Sequence, residues 1–564
     1  MAELHAISYF ESETDQPPGT FKLIRGQTSL IFWDELFLTI HLHLDDEADG
    51  HGQRIVVLDP IPSSDPNEPL NWSTVRKSVN FSIVLAMTIV IFTAINIQPI
   101  FWQQMTTDME VTYAQLNYAM SVNFVGLATG CLLFIPFAKK YGRRPVYIVS
   151  TALMLATSFW ASRMNSLTEL YVTNLLQGLA GATNESIAEI TIVDLFFVHH
   201  RGRMNGIYLT CVMVGNFLTP MAAGAQATEH GWRSSYQTMG IFNGVLFLLF
   251  LFVCEETKYI PALPGHAGAT VDEDNPAISI EDHLTKLDSE SVAKDLSTIE
   301  ETSSHHALDL RLPLNSWQKR LALVTPTPEP LWPHFYSPFC VLIFPAVAFA
   351  AFQYAAGVAW LTATSSVLSL TLPQPPYLFT PAEIGYTNAG PLIGNIIGVV
   401  YGGFLGDQSI LYYAKRNRGY YEPEMRLYIL HLPAISMAGG LMMFGATIAR
   451  GMHWIWPNVA GAFFGFGLGS ISDAALVLVM DSYRDIAGDA FTAVAFMRNA
   501  VSIGIPFAIA PWIQRNGIQG MFIACGMMSL AITGTIIPMV IWGKSARRAL
   551  TGRYLDITKR GHAV

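Results

Sequence analysis

The stretch GATNESIAEITIVD, residues 181–194, is matched later in the chain by GSISDAALVLVMD, residues 469–481. Each stretch has a glycine, an acidic residue four positions later (Glu185 or Asp473), an apolar run and a closing aspartate. A repeat of this kind predicts two halves with the same internal order of elements. An acidic side chain inside an apolar run is costly in a bilayer, so each one indicates a functional or paired group.

Long apolar runs surround both stretches. The chain has 564 residues, of which 51% are hydrophobic and only 13% charged, and this composition indicates an integral membrane protein rather than an ordinary soluble enzyme. Each run has about twenty residues, enough for a helix to cross a bilayer. The runs predict an all-α fold of about twelve transmembrane helices in two bundles of six, near residues 79–99, 115–138, 145–162, 167–193, 203–226, 233–254, 338–362, 383–405, 426–448, 454–480, 487–512 and 519–542.

The polar segments divide the chain around the two bundles. Lysine and arginine concentrate in the loops on one side, which predicts that both termini and the long acidic linker are cytoplasmic. An apolar stretch at 29–44 is short and contains acidic residues, so we expect no further span there. The predicted regions are a mostly disordered N-terminal region at 1–78, a first bundle at 79–254, a linker at 255–337, a second bundle at 338–542 and a tail at 543–564.

The sequence gives no indication of enzymatic chemistry. Its five cysteines have no paired spacing, so neither a disulfide framework nor a metal site is expected. No phosphate-binding loop, metal-spaced histidine cluster or nucleophile arrangement is present, so no cofactor is expected. We expect a monomer in a lipid bilayer that binds a small-molecule substrate and protons, and no nucleic acid.

Several motifs together resemble one family. The chain resembles the major facilitator superfamily, a fold of two six-helix bundles, and within it the fungal twelve-span drug:proton antiporter branch. The most similar subgroup includes yeast importers of polyamines and other organic cations. The motifs are DPNEPLNW (65–72), KKYGRRP (139–145), LLQGLAGA (175–182), GNFLTPMAAG (215–224), YEPEMRL (421–427), GFGLGSISDAAL (465–476) and FMRNA (496–500).

The resemblance implies gate loops after the second and eighth spans. In the family the first of these loops carries Gly-x-x-x-Asp before a basic cluster, whereas Ile135 and Lys139 hold those places here. The same residues are also expected if the loops only anchor the topology. The gate residues implied are Gly142, Arg143 and Arg144 in the first loop and Gly403 and Asp407 in the second.

Glu185 is the first candidate for proton coupling. It shares one helical stripe with Asn174, Gly178 and Gly181, since eleven residues are close to three turns. The resemblance implies an arginine associated with proton coupling in this span, and Asn174 stands in its place. No lysine or arginine lies deep in a span of the first half, so Glu185 is expected to lack a local partner. A cation bound there would displace a proton.

Other polar residues complete the predicted site. In the second half we expect Asp473 to pair with Arg498, which lies at a similar depth. A Pro with nearby glycines predicts a bend in the fifth span. Further candidates for the cavity are Asn184, Asn499, Gln353, Tyr354 and Trp360, and the bend residues are Gly215, Pro220 and Gly224.

Three functions are compatible with these features. The first is proton-driven export of a drug-like compound or secondary metabolite, which the family resemblance and the fifth-span motif favour. The second is proton-coupled uptake of a polyamine or another organic cation, which the isolated Glu185 favours. The third is a membrane sensor that keeps the fold without transport. The plasma membrane is the expected location, with the vacuolar membrane as the alternative.

Overall fold

The computed structural model describes residues 17–22, 65–196, 198–259, 315–325, 327, 331–483 and 486–562. The apolar stretch at 29–44 and most of the predicted linker therefore lie outside the described residues. We call the side of the bundle that carries residues 255–259 and 315–325 the linker side, and the opposite side the far side. The described residues are almost entirely helical.

Six helices form the first half. The fifth is continuous through a π-turn at Val214–Leu218. The helices are α1 (Thr74–Asn96), α2 (Tyr113–Tyr141), α3 (Arg143–Ala161), α4 (Leu167–Leu195), α5 (Val198–Met213, continued by Thr219–His230) and α6 (Trp232–Phe252).

The second half repeats this order. Its last long helical stretch, Ala487–Thr533, is interrupted at Gly517, whose φ of +67° is not helical. The helices are α7 (Pro345–Thr371), α8 (Pro381–Arg416), α9 (His431–Ala449), α10 (Ile455–Ser482), α11 before Gly517 and α12 after it, with Ile536–His562 continuing α12 beyond a short break.

Within the described part, nine helical stretches are long and apolar enough to cross a membrane. The stretch that contains α11 and α12 counts once among them, and α3 and α4 are not included. Arginines in α3 and the amides and carboxylates of α4 lower the mean hydropathy of these two helices. Both are nevertheless packed inside the first bundle, so the predicted groups of six are present in each half.

Some predicted boundaries were wrong. The seventh span was placed at 338–362, but α7 is Pro345–Thr371 and a separate short helix, Trp332–Val341, precedes it. Pro345 occupies the first turn of α7, where a missing N–H costs nothing. The ninth span was placed at 426–448, but α9 begins at His431, after a 3-10 helix.

The two halves pack in equivalent ways. In the first half α4 contacts α2 so closely that a Cβ atom at Gly178 would overlap the carbonyl oxygen of Asn123. In the second half α8 contacts α10, and a Cβ at Gly394 would overlap the carbonyl oxygen of Ala462. The small residues of the predicted stripe on α4 therefore serve helix packing.

The bend residues of α5 lie around its π-turn. Gly215 packs against α1 beside Phe92, and Pro220 follows within the next helical turn. Gly224 reaches α8, where a Cβ would approach the carbonyl oxygen of Pro381. Helix α8 has its own π-turn at Tyr401–Leu405. Such turns bend helices and often occur at functional sites.

A short N-terminal segment is bound to the second half. Phe21–Lys22 pairs antiparallel with Tyr420–Tyr421. Arg547, which is 1% exposed, forms an ion pair of 2.6 Å with Glu424 and donates a hydrogen bond of 3.0 Å to the Thr20 hydroxyl. Part of the region predicted to be mostly disordered is thus ordered against the second bundle.

Candidate functional site

A central cavity lies between the two halves. Helices α1, α2, α4 and α5 contribute to it from the first half, and α7 and α11 from the second. Aromatic and aliphatic side chains such as Phe92, Phe124 and Leu361 form the apolar part of its wall. The polar part consists of Asn96, Gln98, Asn123, Asn174, Glu185, Asn216, Tyr354, Thr362, Ser365, Arg498 and Asn499. Within the described part, Glu185 and Arg498 are the charged residues of this wall.

Glu185 is held by two residues of the other half. Its Oε1 atom forms an ion pair with Nη2 of Arg498, and its Oε2 atom accepts a hydrogen bond of 2.7 Å from Nδ2 of Asn499. The side chains of Glu185 and Arg498 are only 3% and 7% exposed. Sγ of Cys131 lies 4.0 Å from the same Oε2, and the guanidinium carbon of Arg498 lies 5.0 Å from the ring centre of Tyr354.

The predicted pair of Asp473 and Arg498 was wrong. Arg498 extends across the interface to Glu185 because α11 packs on α2, where the Ser121 hydroxyl donates a hydrogen bond of 2.9 Å to the carbonyl oxygen of Ile503. Asp473 faces α8 instead, close to Gly402. The expectation that Glu185 lacks a partner holds only for the first half, since its cation comes from the second half.

The other predicted residues divide into two groups. Asn174 lines the cavity, and its Nδ2 donates a hydrogen bond of 2.8 Å to the carbonyl oxygen of Leu170. Asn184 is not among the residues that line the cavity, and its Oδ1 accepts a hydrogen bond of 3.1 Å from the Thr88 hydroxyl. Gln353 and Trp360 do not line the cavity. Gln353 donates to Ile532 and Thr535 at the break in α12, and Trp360 packs in the core of the second half.

The sequence patterns did not single out two amides that line the cavity, Asn96 and Asn216, or Cys131 beside Glu185. Asn96 and Asn216 are joined by a hydrogen bond of 2.7 Å between α1 and α5. Cys131 lies beside Glu185 and Asn499. Asn216 lies inside the motif GNFLTPMAAG. An amide within an apolar run is costly in a bilayer, and this feature could have indicated a cavity residue.

The basic loop after α2 is bound tightly on the linker side. Arg143 donates a hydrogen bond of 3.0 Å to Asp194 at the end of α4, and the guanidinium of Arg144 donates to the carbonyl oxygens of Leu251, Cys254 and Leu321. Both backbone N–H groups donate to the carboxylate of Glu256. Burial raises the pKa of Glu256, while these backbone hydrogen bonds act in the opposite direction.

Gly142 of this loop has a φ of +112°, where a side chain would be strained and would strike Glu256. In the second half, Arg426 lies 3.5 Å from Asp481, which also accepts a hydrogen bond of 2.5 Å from the Tyr421 hydroxyl. Gly403 belongs to the π-turn of α8. The side chain of Asp407 lies outside the described residues.

An ion pair joins the two halves on the linker side. Lys139 at the end of α2 binds Asp489 in the first turn of α11, and the Ser337 hydroxyl donates a hydrogen bond of 2.6 Å to the same carboxylate. On the far side, the backbone N–H of Ala382 in α8 donates one of 2.9 Å to the Thr228 hydroxyl in α5. Contacts between the halves therefore lie on both sides of the cavity.

We expect Lys139→Asp to slow transport by about two- to fivefold, because it replaces a partly exposed attraction of roughly 0.5–1 kcal/mol by a repulsion. The Lys139→Asp, Asp489→Lys double variant should restore the rate, since it recreates the pair in reverse. Rates are measured in cells with equal amounts of surface protein. A double variant no better than the single one would contradict a role for this pair.

Comparison with known proteins identifies the family. The family model of the Major Facilitator Superfamily matches residues 83–506. The chain belongs to the Major Facilitator Superfamily. The fold agrees with a solved superfamily member, the xylose transporter XylE of E. coli in a partially occluded inward-open conformation. The TM-score is 0.53 at 12% identity, over 82% of this chain and 99% of XylE.

Relatives within the superfamily match nearly the whole chain. An uncharacterized MFS-type transporter of Schizosaccharomyces pombe, C1271.10c, is 30% identical, covering 96% of this chain and 95% of the relative. Protein HOL1 of Saccharomyces cerevisiae is 28% identical, covering 94% and 95%. The multidrug transporter TPO1_2 of Candida glabrata is 24% identical, covering 86% and 78%. The chain is thus a multi-pass membrane transporter and not an enzyme, and the sensor hypothesis gains no support.

Proposed function

We propose that this transporter exchanges a small organic cation for a proton at the central cavity. The observation that carries the proposal is the ion pair of Glu185 and Arg498. The carboxylate belongs to one half and its cation to the other, and both border the cavity. We further propose that the protein lies in the plasma membrane with both termini in the cytoplasm, on the linker side.

The ion pair links binding of a substrate cation to loss of a proton, because the site has to stay balanced in charge. A carboxylate buried in a membrane protein needs a counter-charge or a proton. A substrate cation that binds Glu185 must displace Arg498, whose charge then has to be compensated elsewhere in the same site. The ring of Tyr354 and the amide oxygens of the wall provide further contacts that suit a cationic or planar ligand.

Export is the direction that this exchange favours. Where the outside is acidic, an inward flow of protons drives an organic cation outward. The motif of α5 and the similarity to a relative named as a multidrug transporter support this direction. The second candidate is uptake of a polyamine, which is supported by the resemblance of the chain's motifs to the subgroup that includes yeast polyamine importers.

Transport in both directions tests the proposal. In yeast cells that lack their own polyamine import, we would follow labelled spermidine uptake and ethidium efflux at acidic and neutral outside pH. Matched cells carry the unchanged protein, Glu185→Gln, or the control Glu229→Gln, whose side chain is 78% exposed. Acid-stimulated efflux that only Glu185→Gln loses supports export, and acid-stimulated uptake with the same loss supports import. If the protein is at the surface and neither uptake nor efflux is observed, both candidate functions are contradicted.

A further inference from the structure

A second, smaller cavity lies next to the central one and contains another carboxylate. Glu189 follows Glu185 by one turn of α4 and borders this smaller cavity but not the central one. Residues of both halves form its wall, among them Leu209 of α5 and Val494 of α11. The Glu185 and Arg498 pair borders both cavities and so separates Glu189 from the central one.

Glu189 differs from Glu185 in its contacts. Its Oε2 atom is buried, and no residue in the described ranges donates a hydrogen bond to it. Glu185, by contrast, is bound by both Arg498 and Asn499. A buried carboxyl oxygen without a hydrogen-bond donor favours the neutral acid over the carboxylate.

The groups that face Glu189 come from every neighbouring helix. The titratable and charged ones are Glu185 on α4, Tyr208 on α5, Tyr354 on α7 and Arg498 on α11, whereas α1 and α10 contribute apolar side chains. The Tyr208 hydroxyl donates to the carbonyl oxygen of Asn184 at 3.3 Å, so its proton points away from Glu189. Among the described residues that line this cavity, Arg498 is therefore the cation available to Glu189, and it is engaged by Glu185.

We propose that Glu189 carries the coupling proton and that Arg498 moves between the two carboxylates. In the substrate-free state Glu185 is ionised and bound to Arg498, and Glu189 is protonated. A substrate cation takes the place of Arg498 on Glu185. Arg498 then binds Glu189, whose proton leaves, so one positive charge enters the site and one departs. The substrate step of this inference rests on the proposed function. The protonation of Glu189 does not depend on it.

Infrared spectroscopy of the purified protein tests the protonation without a substrate. We expect a carbonyl band of a buried, protonated carboxyl group at neutral pH that Glu189→Gln lacks and the surface control Glu229→Gln keeps. Glu189→Met, of similar size, replaces the Gln variant if that variant is unstable. A wild-type protein without the band, or a Glu189→Gln variant that retains it, overturns the assignment.

The same band tests the movement of Arg498. In Glu185→Gln we expect the band to disappear, because Arg498 loses its partner and turns to Glu189. A Glu185→Gln variant that keeps the band shows that Arg498 stays in place and overturns the movement.

Transport gives a separate readout. In proteoliposomes, Glu189→Gln should reduce accumulation of spermidine driven by a pH gradient by about tenfold or more, but exchange of labelled for unlabelled spermidine by less than about threefold. An equal loss of both contradicts the coupling role of Glu189. If the unchanged protein moves no spermidine or ethidium, the proposed function fails, whereas the infrared result still decides the protonation.

Discussion

Replacing Arg498 by alanine is expected to destabilise the folded protein by about 3–5 kcal/mol, because Glu185 then remains buried without its cation. The pair is almost fully buried, so little solvent screening weakens it. The measurement is the free energy or midpoint of unfolding in detergent, together with the amount of monodisperse protein. Arg515→Ala, an exposed arginine beyond the middle of the same helical stretch, is the matched control and should have little effect.

A second substitution identifies the partner of Arg498. Adding Glu185→Gln to Arg498→Ala removes the unpaired carboxylate and should restore most of the lost stability, though not coupled transport. Asp473→Asn in the same background should restore nothing, since Asp473 faces α8. Rescue by Asp473→Asn instead would contradict the geometry of the central pair.

Replacing Glu185 by glutamine is expected to reduce coupled transport by at least about 100-fold, since a lost charge contact of about 3 kcal/mol corresponds to this factor. Glutamine keeps the size and the hydrogen bond to Asn499 but cannot bind a cation as a carboxylate does. Expression should remain, because Glu189 lies one turn away and can bind Arg498. The measurement is transport at equal surface amounts, with Glu229→Gln as control, and full activity would contradict the role of Glu185.

The fold follows from patterns that a single chain displays. Apolar runs of spanning length and the repeat at 181–194 and 469–481 predict two bundles of six helices. The exact residues at which helices begin, end or break depend on single residues such as proline, whose effect is lost when hydropathy is averaged over a window. Pro345 begins α7 after the predicted start, and the break after Thr533 interrupts the last predicted span.

The site was less predictable because it joins two halves. Glu185 could be singled out from its cost in a bilayer, whereas its partner depends on how far α11 lies from α4, which no spacing in the sequence reveals. Arg498 and Asp473 lie at similar depth, so depth alone favoured the wrong pair. Gln353 was misplaced for a related reason, since the break in α12 that it binds was not foreseen.

Lys139 shows how a departure from a family pattern can be compensated. The resemblance implies an acidic residue at this place, and the chain has a basic one. Its partner Asp489 lies in the first turn of α11, where a carboxylate is also favoured by the helix dipole. The basic residue at this place thus has a carboxylate partner in the other half.

Proton release on substrate binding tests the central claim most directly. Purified protein in a weakly buffered solution at neutral pH is mixed with spermidine, and separately with ethidium, and the pH change is recorded. The account predicts that about one proton leaves for each cation bound, and that neither Glu185→Gln nor Glu189→Gln releases it. Saturable binding of either cation without proton release would contradict the exchange at Glu185 and Arg498.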